Sequence, residues 1–161
     1  MEERIEICCC FTGHRPEKLG MSENDAKALL KVALDNAISD GYRFFISGMA
    51  RGIDMWAADL VLQAREQNPD IHLICIIPYN GFEKSWADSE KSAYNRIIEQ
   101  ADSVEFVLSH YSKSSFQLRN TKMVDRSSRV IAAYNGEKGG TKNTVNYAKR
   151  KGAAIHNILE S

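Results

Sequence analysis

Glycine and cationic side chains occur together in three segments of the chain, each placed directly after an apolar run. The segments cover residues 12–16, 47–54 and 135–141. Glycines let backbone N–H groups approach an anion closely, and the positive end of a following helix adds to the attraction. An arginine guanidinium can hold a phosphate through two hydrogen bonds. The three segments therefore predict one shared site for a phosphate-bearing ligand.

The candidate ligand-binding residues in these segments can contact an anion or let one approach. They are Gly13, His14, Arg15, Gly48, Arg51, Gly52, Asp54, Gly139, Gly140 and Thr141. His14 can hydrogen-bond a ligand or exchange a proton, because its charge is tunable near neutral pH, and a purely structural loop histidine is an equal alternative. The alternative is that the glycines only form turns and that Asp54 and Thr141 only cap helices. The recurrence of the pattern after several apolar runs favours the shared ligand site.

Aromatic residues follow the third apolar run, at Tyr79, Phe82 and Trp86. Tyr79 is a candidate to stack on a base or ribose ring, whereas packing on the sheet edge is the favoured interpretation for Trp86. The chain contains neither G-x-G-x-x-G after its first apolar run nor G-x-x-x-x-G-K-[ST] anywhere. This argues against an ordinary dehydrogenase and against a Walker-type NTPase.

Apolar runs alternate with helical patterns along the whole chain. Strands are predicted at residues 5–11, 43–47, 71–77, 103–108, 130–134 and 153–158. Helices are predicted from Ser22 to Gly41 and at residues 54–67, 83–101, 116–128 and 141–151. This alternation indicates an α/β fold, Rossmann-like, with a mostly parallel sheet and helices on both faces. We expect one domain over residues 1–161, with its ligand bound where the strands end.

Composition is that of a folded globular protein, with 43% hydrophobic and 26% charged residues, which excludes wholesale disorder and fibres. The 21 basic and 21 acidic side chains cancel, which argues against nucleic-acid binding by electrostatics alone. The charge is uneven, because residues 1–100 carry 11 basic and 16 acidic side chains and residues 101–161 carry 10 and 5. A basic second part could serve an anionic ligand, but solvated helix faces are the favoured interpretation of the asymmetry taken alone.

We expect a cytoplasmic protein without a membrane segment. No apolar run approaches the roughly 18 residues that a membrane-spanning helix needs, and the chain opens with acidic rather than basic residues. Cys8, Cys9, Cys10 and Cys75 show no zinc-binding spacing, and neighbouring residues of a strand point to opposite faces. The cysteines are interpreted as small buried residues of central strands, with a redox role as the alternative. Neither a metal nor a cofactor is expected.

The second glycine segment, Ser47-Gly48-Met49-Ala50-Arg51-Gly52-Ile53-Asp54, closely resembles the S-G-L-A-R-G-I-D signature of DNA-processing protein A. Arg119-Asn120 followed by Gly139-Gly140-Thr141 resembles a later segment of that family and of the "Lonely guy" (LOG) phosphoribohydrolases. Residues 12–20 resemble the opening of the YpsA-like branch of the same SMF/DprA–LOG (SLOG) superfamily. The resemblance covers nearly the whole chain and implies a bacterial Rossmann-like protein.

This resemblance implies binding of a nucleotide or nucleotide-derived ligand, for example an ADP-ribose-like molecule, by a sensor, binder or weak hydrolase. It adds Arg119 to the candidate ligand-binding residues. Two alternatives stay open: binding of single-stranded nucleic acid, as for DNA-processing protein A, and hydrolysis of nucleoside monophosphates, as for LOG enzymes. The resemblance also leaves a homo-oligomer open.

Catalysis of the LOG type is doubtful because Thr144 stands where those enzymes carry a glutamate. A threonine hydroxyl does not act as a general acid or base at neutral pH. Arg119 matches the catalytic arginine of that family, and Asp54 and Asp125 are the carboxylates that are candidates to replace the missing glutamate.

Overall fold

The computed structural model describes residues 2–160 and shows six parallel strands in one sheet, in the order β4-β3-β2-β1-β5-β6. The strands are β1 (Cys8–Gly13), β2 (Phe44–Ser47), β3 (His72–Tyr79), β4 (Ser103–Leu108), β5 (Arg129–Ala133) and β6 (Ala154–Asn157). The helices are α1 (Pro16–Leu19), α2 (Glu23–Ser39), α3 (Ile53–Gln67), α4 (Asp88–Gln100), α5 (Ser115–Asp125) and α6 (Gly140–Lys151). The predicted α/β Rossmann-like fold is confirmed.

Helices cover both faces of the sheet, and each face has its own apolar core. Phe11 and Phe45 belong to the core that α2, α3 and α4 cover, whereas Met123 of α5 and Val145 of α6 pack against the opposite face. Since side chains alternate along a strand, a strand covered on both faces must be apolar at nearly every position. β1 and β2 meet this condition, and every residue from Phe44 to Ser47 is buried.

The cysteines occupy the positions that the sequence predicts. Cys8, Cys9, Cys10 and Cys75 are all fully buried and free, with Cys9 facing one core and Cys8 and Cys10 facing the other. Burial raises the pKa of the Cys10 thiol to about 12, and the pKa of Cys75 likewise to about 12. Within residues 2–160, no group of three His, Cys, Asp or Glu side chains is arranged to hold a metal ion.

The elements differ from the predictions mainly at their ends. The first strand begins at Cys8, because Ile5–Ile7 forms a 3-10 turn. The third strand continues through Pro78 to Tyr79. Its pairing with β2 ends at Cys75, so the missing N–H of Pro78 removes no hydrogen bond between β3 and β2. The fourth helix begins only at Asp88, after a turn in which Gly81 has φ 88°.

The helix after the first glycine segment is new, whereas the next one is confirmed. The prediction contained no α1, which begins with a proline and ends at Gly20 in the left-handed conformation. α2 begins as predicted, because the Ser22 hydroxyl accepts a hydrogen bond from the Asp25 N–H at 3.1 Å. In the part of the chain that is described, no helix has the length and apolar character needed to cross a membrane.

Candidate functional site

A cleft of about 1070 Å³ lies at the carboxyl ends of the strands. Segments after β1, β2, β3 and β5 reach it, together with one side of α3, α4 and α5. The strand order places β1 between β2 and β5, so the chain leaves β1 toward one edge of the sheet and later returns on its other side. Ligands of open α/β sheets bind at such a switch point. The cleft therefore lies where the fold leads one to expect a ligand site.

Apart from Gly48, all the ligand-binding residues predicted from the sequence line this one cleft. They are Gly13, His14, Arg15, Arg51, Gly52, Asp54, Tyr79, Arg119, Gly139, Gly140 and Thr141. Segments far apart in the sequence are thus brought together as the pattern of glycines and cations suggested.

Gly48 lies behind the cleft wall, where it makes room for Arg119. Its carbonyl oxygen accepts a hydrogen bond from Nη1 of Arg119, whose Nε donates to Oδ1 of Asn120 at 2.7 Å. A Cβ atom on Gly48 would lie 2.5 Å from that Nη1 and 2.7 Å from Cζ, too close for any side chain. The glycine is needed for the close approach of an arginine, and the guanidinium is fixed at the cleft with only 5% of the residue exposed.

Gly13 also has a packing role. A Cβ atom at this position would lie 2.7 Å from Cβ of Ile53, the first residue of α3. Because Cβ of Ile53 is attached directly to the backbone, it cannot move aside without moving the helix. Gly13 therefore lets α3 begin against the end of β1, which brings the β2–α3 segment to the cleft.

The segment between β2 and α3 folds back on the first turn of the helix. The Ser47 hydroxyl donates to the carbonyl oxygen of Asp54 at 2.8 Å and accepts from the N–H of Met49 at 3.1 Å. Two positive φ angles turn the chain, 61° at Met49 and 91° at Gly52. The N–H of Ala50 then donates to Oδ2 of Asp54 at 3.3 Å. This segment thus satisfies much of its own hydrogen bonding.

Asp54 and Arg119 are two buried, oppositely charged groups in the same cleft. Burial raises the pKa of Asp54 to about 6, although Arg119 and the Ala50 N–H oppose the rise. Burial also lowers the pKa of Arg119, and Asp54 opposes that change. The Asp54 carboxyl therefore exchanges its proton close to neutral pH, which suits it to accept a hydrogen bond from a ligand hydroxyl or to act as an acid or base.

The first turn of α6 is open to a ligand. Its N-cap is Gly139, which has φ 141° and no side chain to bond the first N–H groups, and the turn contains no acidic residue. Gly140 is exposed and Thr141 is nearly buried, and both line the cleft. Thr144 follows one turn later, and its hydroxyl donates to the Gly140 carbonyl at 2.9 Å. The helix thus presents a positive end without a carboxylate beside it.

Aromatic side chains form the outer wall of the cleft. Tyr79 meets Phe82 edge to face at 5.6 Å between ring centroids, and Phe82 meets Trp86 in the same way at 5.1 Å. The guanidinium of Arg51 lies 5.5 Å from the Trp86 ring and 3.7 Å from Glu90. Arg51 is therefore held loosely at the rim, with 48% of its side chain exposed.

Sequence reasoning missed several residues of the cleft that belong to helices. These are Trp56, Asp59, Arg96, Phe116 and Asn120. Asn120 was noted only as part of a resemblance, although its side chain positions Arg119. Asp59 and Arg96 form an ion pair across α3 and α4 at 3.4 Å. A polar or aromatic residue on a helix face carries no sign of facing a cleft in a single sequence, so no pattern could have found these residues.

Asp125 lies outside the cleft, which corrects its choice as a candidate catalytic residue. Its carboxylate accepts from the Tyr147 hydroxyl at 2.6 Å and lies 3.6 Å from Nζ of Lys151. Asp125 follows Arg119 by six residues on α5, which is a rotation of about 240° around a helix with 3.6 residues per turn. The two side chains therefore point in different directions, and Asp54 is the candidate carboxylate that the structure places in the cleft.

The fold and the cleft define an α/β protein of Rossmann-like topology with a glycine-lined cleft at the strand ends. The family model for YpsA, described as the YspA SLOG family, matches residues 9–158. The chain belongs to this family.

Bacterial relatives align with most of the chain. A UPF0398 protein of Bacillus thuringiensis strain Al Hakam is 31% identical over 150 residues, which are 88% of this chain and 82% of the relative. A UPF0398 protein of Bacillus cereus strain Q1 has the same identity and coverage. These names state no activity.

Two solved structures share the fold. DNA processing protein A from Streptococcus pneumoniae superposes with a TM-score of 0.64 at 20% identity, over 93% of this chain. DNA processing protein A from Helicobacter pylori, described with a single-stranded DNA binding mode, gives 0.60 at 18% identity, over 94% of this chain. This chain spans only 49% and 64% of the length of those two proteins. The likeness shows the fold.

Proposed function

We propose that this protein binds a nucleotide-derived small molecule, for example an ADP-ribose-like molecule, in the strand-end cleft. The observation that carries the proposal is the open first turn of α6 facing the same cleft as the buried guanidinium of Arg119. Backbone N–H groups at a helix start and an arginine are the two groups that most often hold a phosphate.

Each part of such a ligand has a chemically matching group of residues in the cleft. Phosphate oxygens suit the N–H groups of Gly140 and Thr141, and Asp54 suits a ribose hydroxyl. The aromatic wall at Tyr79 offers ring surface to a base. The volume of about 1070 Å³ reaches the upper end of the roughly 300–1,000 Å³ of small-molecule pockets. It therefore favours a ligand larger than a nucleoside monophosphate.

We expect a sensor or binder, with at most weak hydrolase activity. Release of a base from ribose needs a carboxylate beside the sugar, and Thr144 offers only a hydroxyl that is bonded to its own helix. Asp54 is the one remaining candidate acid of those we named. The assay is chromatography of AMP after incubation with micromolar protein. Turnover at about 1 s⁻¹ or faster would contradict this expectation and show that another group has replaced the glutamate.

A second candidate function is binding of single-stranded nucleic acid. The shared fold with the Helicobacter pylori protein favours it, as does the excess of basic residues after position 100. Part of this excess is offset by acidic residues from the first part of the chain, because Arg126 pairs with Glu3 and Arg129 pairs with Asp40. Affinity for an oligonucleotide would fall steeply with salt, whereas a small ligand in the cleft would respond less.

The test of the first proposal is a thermal-shift and calorimetry screen with AMP, ADP-ribose, NAD and nucleotide sugars. A ligand at about 100 times its Kd should stabilise the protein by about 2.7 kcal/mol. Arg15→Ala, at the cleft, should weaken binding about 10- to 100-fold, as loss of a hydrogen bond to a charged group does. Arg4→Ala is the matched control, an exposed arginine outside the cleft. No response to any of these compounds at millimolar concentration would contradict the proposal.

Mass spectrometry of small molecules released from the purified, denatured protein would identify a ligand that copurifies. We keep a cytoplasmic location as a prediction, with the four free, buried thiols as its support. A possible homo-oligomer needs a separate experiment, in which the mass of the native protein in solution is measured with and without the ligand.

A further inference from the structure

Among the described side chains of residues 2–160, one buried polar atom lacks a hydrogen-bond partner, and it is Nε2 of His14. The residue is only 4% exposed, and its backbone N–H donates to the carbonyl of Ala133 at 3.1 Å. A buried polar atom without a partner costs about 1–3 kcal/mol, and such atoms are rare in folded proteins. The unpaired nitrogen therefore has hydrogen-bonding capacity left for a water or a ligand.

His14 lies beside the open end of α6. It follows the last residue of β1, whose neighbour in the sheet is the end of β5, and the segment after β5 leads into α6. The imidazole is 5.5 Å from the ring of Tyr134 in that segment. His14, Gly140 and Thr141 line the same cleft. A helix start without an acidic residue and an unpaired buried imidazole therefore face one volume.

We propose that His14 is a contact for an oxyanion bound at the start of α6, and that its ring takes up a proton when the anion binds. The imidazole ring rotates about its side-chain bonds so that Nε2–H donates to an oxygen of the anion. The inference rests on the proposed function, because it concerns the same cleft, and it adds a specific contact and a pH dependence. The ligand chemistry is that of a phosphate or sulfate group.

The charged groups around His14 act in different directions. They are Lys18 on α1, Glu137 in the segment before α6, and Arg15, Asp54 and Arg119, which line the cleft. Burial lowers the pKa of His14 and Lys18 lowers it further, while Glu137 opposes them. The free ring is therefore neutral at pH 7, and an anion beside it raises its pKa. Binding then consumes a proton, so affinity rises as the pH falls through the range between the bound and free values.

Asp54 titrates in the same range and has to be separated from His14. Its pKa is raised to about 6, and protonation removes a negative charge from the cleft, which also favours an anion at lower pH. The ligand phosphate itself changes charge near this pH. A test must therefore compare variants of the protein with the same ligand, so that the ligand's own titration cancels.

The first experiment follows the four histidine rings by NMR between about pH 5 and pH 8, with and without sulfate. Sulfate keeps its charge over this range. His14→Gln assigns the His14 signal, and the exposed His110 is the internal control. We expect sulfate to move the titration midpoint of His14 upward and to leave that of His110 in place. A His14 midpoint that does not move at the highest sulfate concentration overturns the proposal.

The second experiment measures the affinity of AMP and of adenosine at about pH 6 and about pH 8, by calorimetry. The ratio of AMP affinity between the two pH values should fall at least about threefold in His14→Gln, the equivalent of about 0.65 kcal/mol, and stay unchanged in His110→Gln. Asp54→Asn in the same assay measures how much of the pH dependence of AMP affinity is due to Asp54. Adenosine lacks the anion, so its affinity should change little in His14→Gln.

The outcomes separate this inference from the proposed function. If AMP and ADP-ribose do not bind but sulfate moves the His14 midpoint, the oxyanion contact stands and the nucleotide proposal fails. If AMP binds with the same pH dependence in His14→Gln as in the original protein, the nucleotide proposal stands and His14 is not the contact. Equal losses for AMP and adenosine in His14→Gln would assign the residue a structural role and overturn the inference.

Discussion

The helices α3 and α6 both begin at the cleft, but their first turns differ in charge. Each has a glycine N-cap with positive φ and no side-chain cap, Gly52 for α3 and Gly139 for α6. The first turn of α3 contains Asp54, whose carboxylate accepts a hydrogen bond from Ala50. The first turn of α6 contains no acidic residue. α3 thus supplies its own anion, whereas the positive end of α6 has no acidic residue beside it.

This difference assigns separate tasks to two segments that look alike in the sequence. The β2–α3 segment is held by its own hydrogen bonds and fixes Arg119 through Gly48. The segment before α6 is exposed at Gly139 and Gly140. A glycine-rich segment after a strand therefore does not by itself indicate a phosphate site, and the charge of the following helical turn has to be considered as well.

The difference between the two helix starts is tested most directly by placing an acidic residue in the first turn of α6, as in α3. Thr141 corresponds in position to Asp54, since each is the second residue of its helix. Thr141→Asp should weaken binding of ADP-ribose at least about 100-fold, because two like charges about 4 Å apart repel by up to about 4 kcal/mol near a protein surface. Thr141→Asn is the uncharged control and should bind far better. Equal affinities in the two variants would show that the anion lies elsewhere.

The converse change removes the acid from α3. Burial raises the pKa of Asp54 from 3.8 in the unfolded chain to about 6 in the folded protein. The protonated carboxyl therefore contributes fully to the free energy of unfolding below pH 3.8, and this contribution is lost as the pH rises through about 6. Asp54→Asn should therefore increase the free energy of unfolding by about 3 kcal/mol at pH 8 and change it little near pH 4. Urea denaturation at the two pH values measures the difference. A gain of the same size at both would exclude a titrating Asp54.

The glycine that makes room for Arg119 should not tolerate a methyl group. Gly48→Ala places Cβ against the guanidinium, and we expect a loss of about 1–3 kcal/mol in stability from this overpacking, measured by urea denaturation. Gly140→Ala is the control on the α6 side, because the nearest atom to its new Cβ is 3.9 Å away. It should change stability by less than about 1 kcal/mol. A tolerated Gly48→Ala would mean that Arg119 can move aside freely.

The smallest effect is expected at the rim. Arg51→Ala removes a pair with Glu90 at 3.7 Å in which both side chains are well exposed, and such pairs contribute at most about 1 kcal/mol. Stability should therefore stay within about 1 kcal/mol of the original. Thermal unfolding measures it, and calorimetry with ADP-ribose tests whether affinity falls less than it does in Thr141→Asp. A larger loss of affinity in Arg51→Ala would place the phosphate at α3 and reverse the comparison.

Much of the fold could be predicted because buried strands and amphipathic helices leave plain patterns. The fourth strand, Ser103–Leu108, was predicted to the residue, and α2 begins where Ser22 caps it. Boundaries failed where local hydrogen bonds compete with the pattern, as at Ile5–Ile7. The start of α4 failed because residues 83–86 form a turn that has helical composition. The neighbours of each strand depend on contacts between distant segments, so the sheet order was not predicted.

The site could be predicted in part for a similar reason. The fold brings together the segments after β1, β2, β3 and β5, so many of the lining residues followed from knowing where these strands end. The task of Gly48 could not be predicted, since its partner Arg119 is 71 residues away in the sequence. Asp125 was a wrong choice because it shares a helix with Arg119 but not a face. Distances along a helix are readable from a sequence, whereas contacts between segments are not.

The place of β1 between β2 and β5 has a consequence for the order of folding. Cys9 pairs with Phe45, 36 residues away, on one side and with Arg129, 120 residues away, on the other. Closing the longer loop costs more chain entropy, so β5 is expected to join the sheet after β2. Only then does α6 reach the cleft. A ligand held by both Asp54 and Thr141 would tie the late-forming part of the chain to the early one, and hydrogen exchange should slow most in β5 and α6 when it binds.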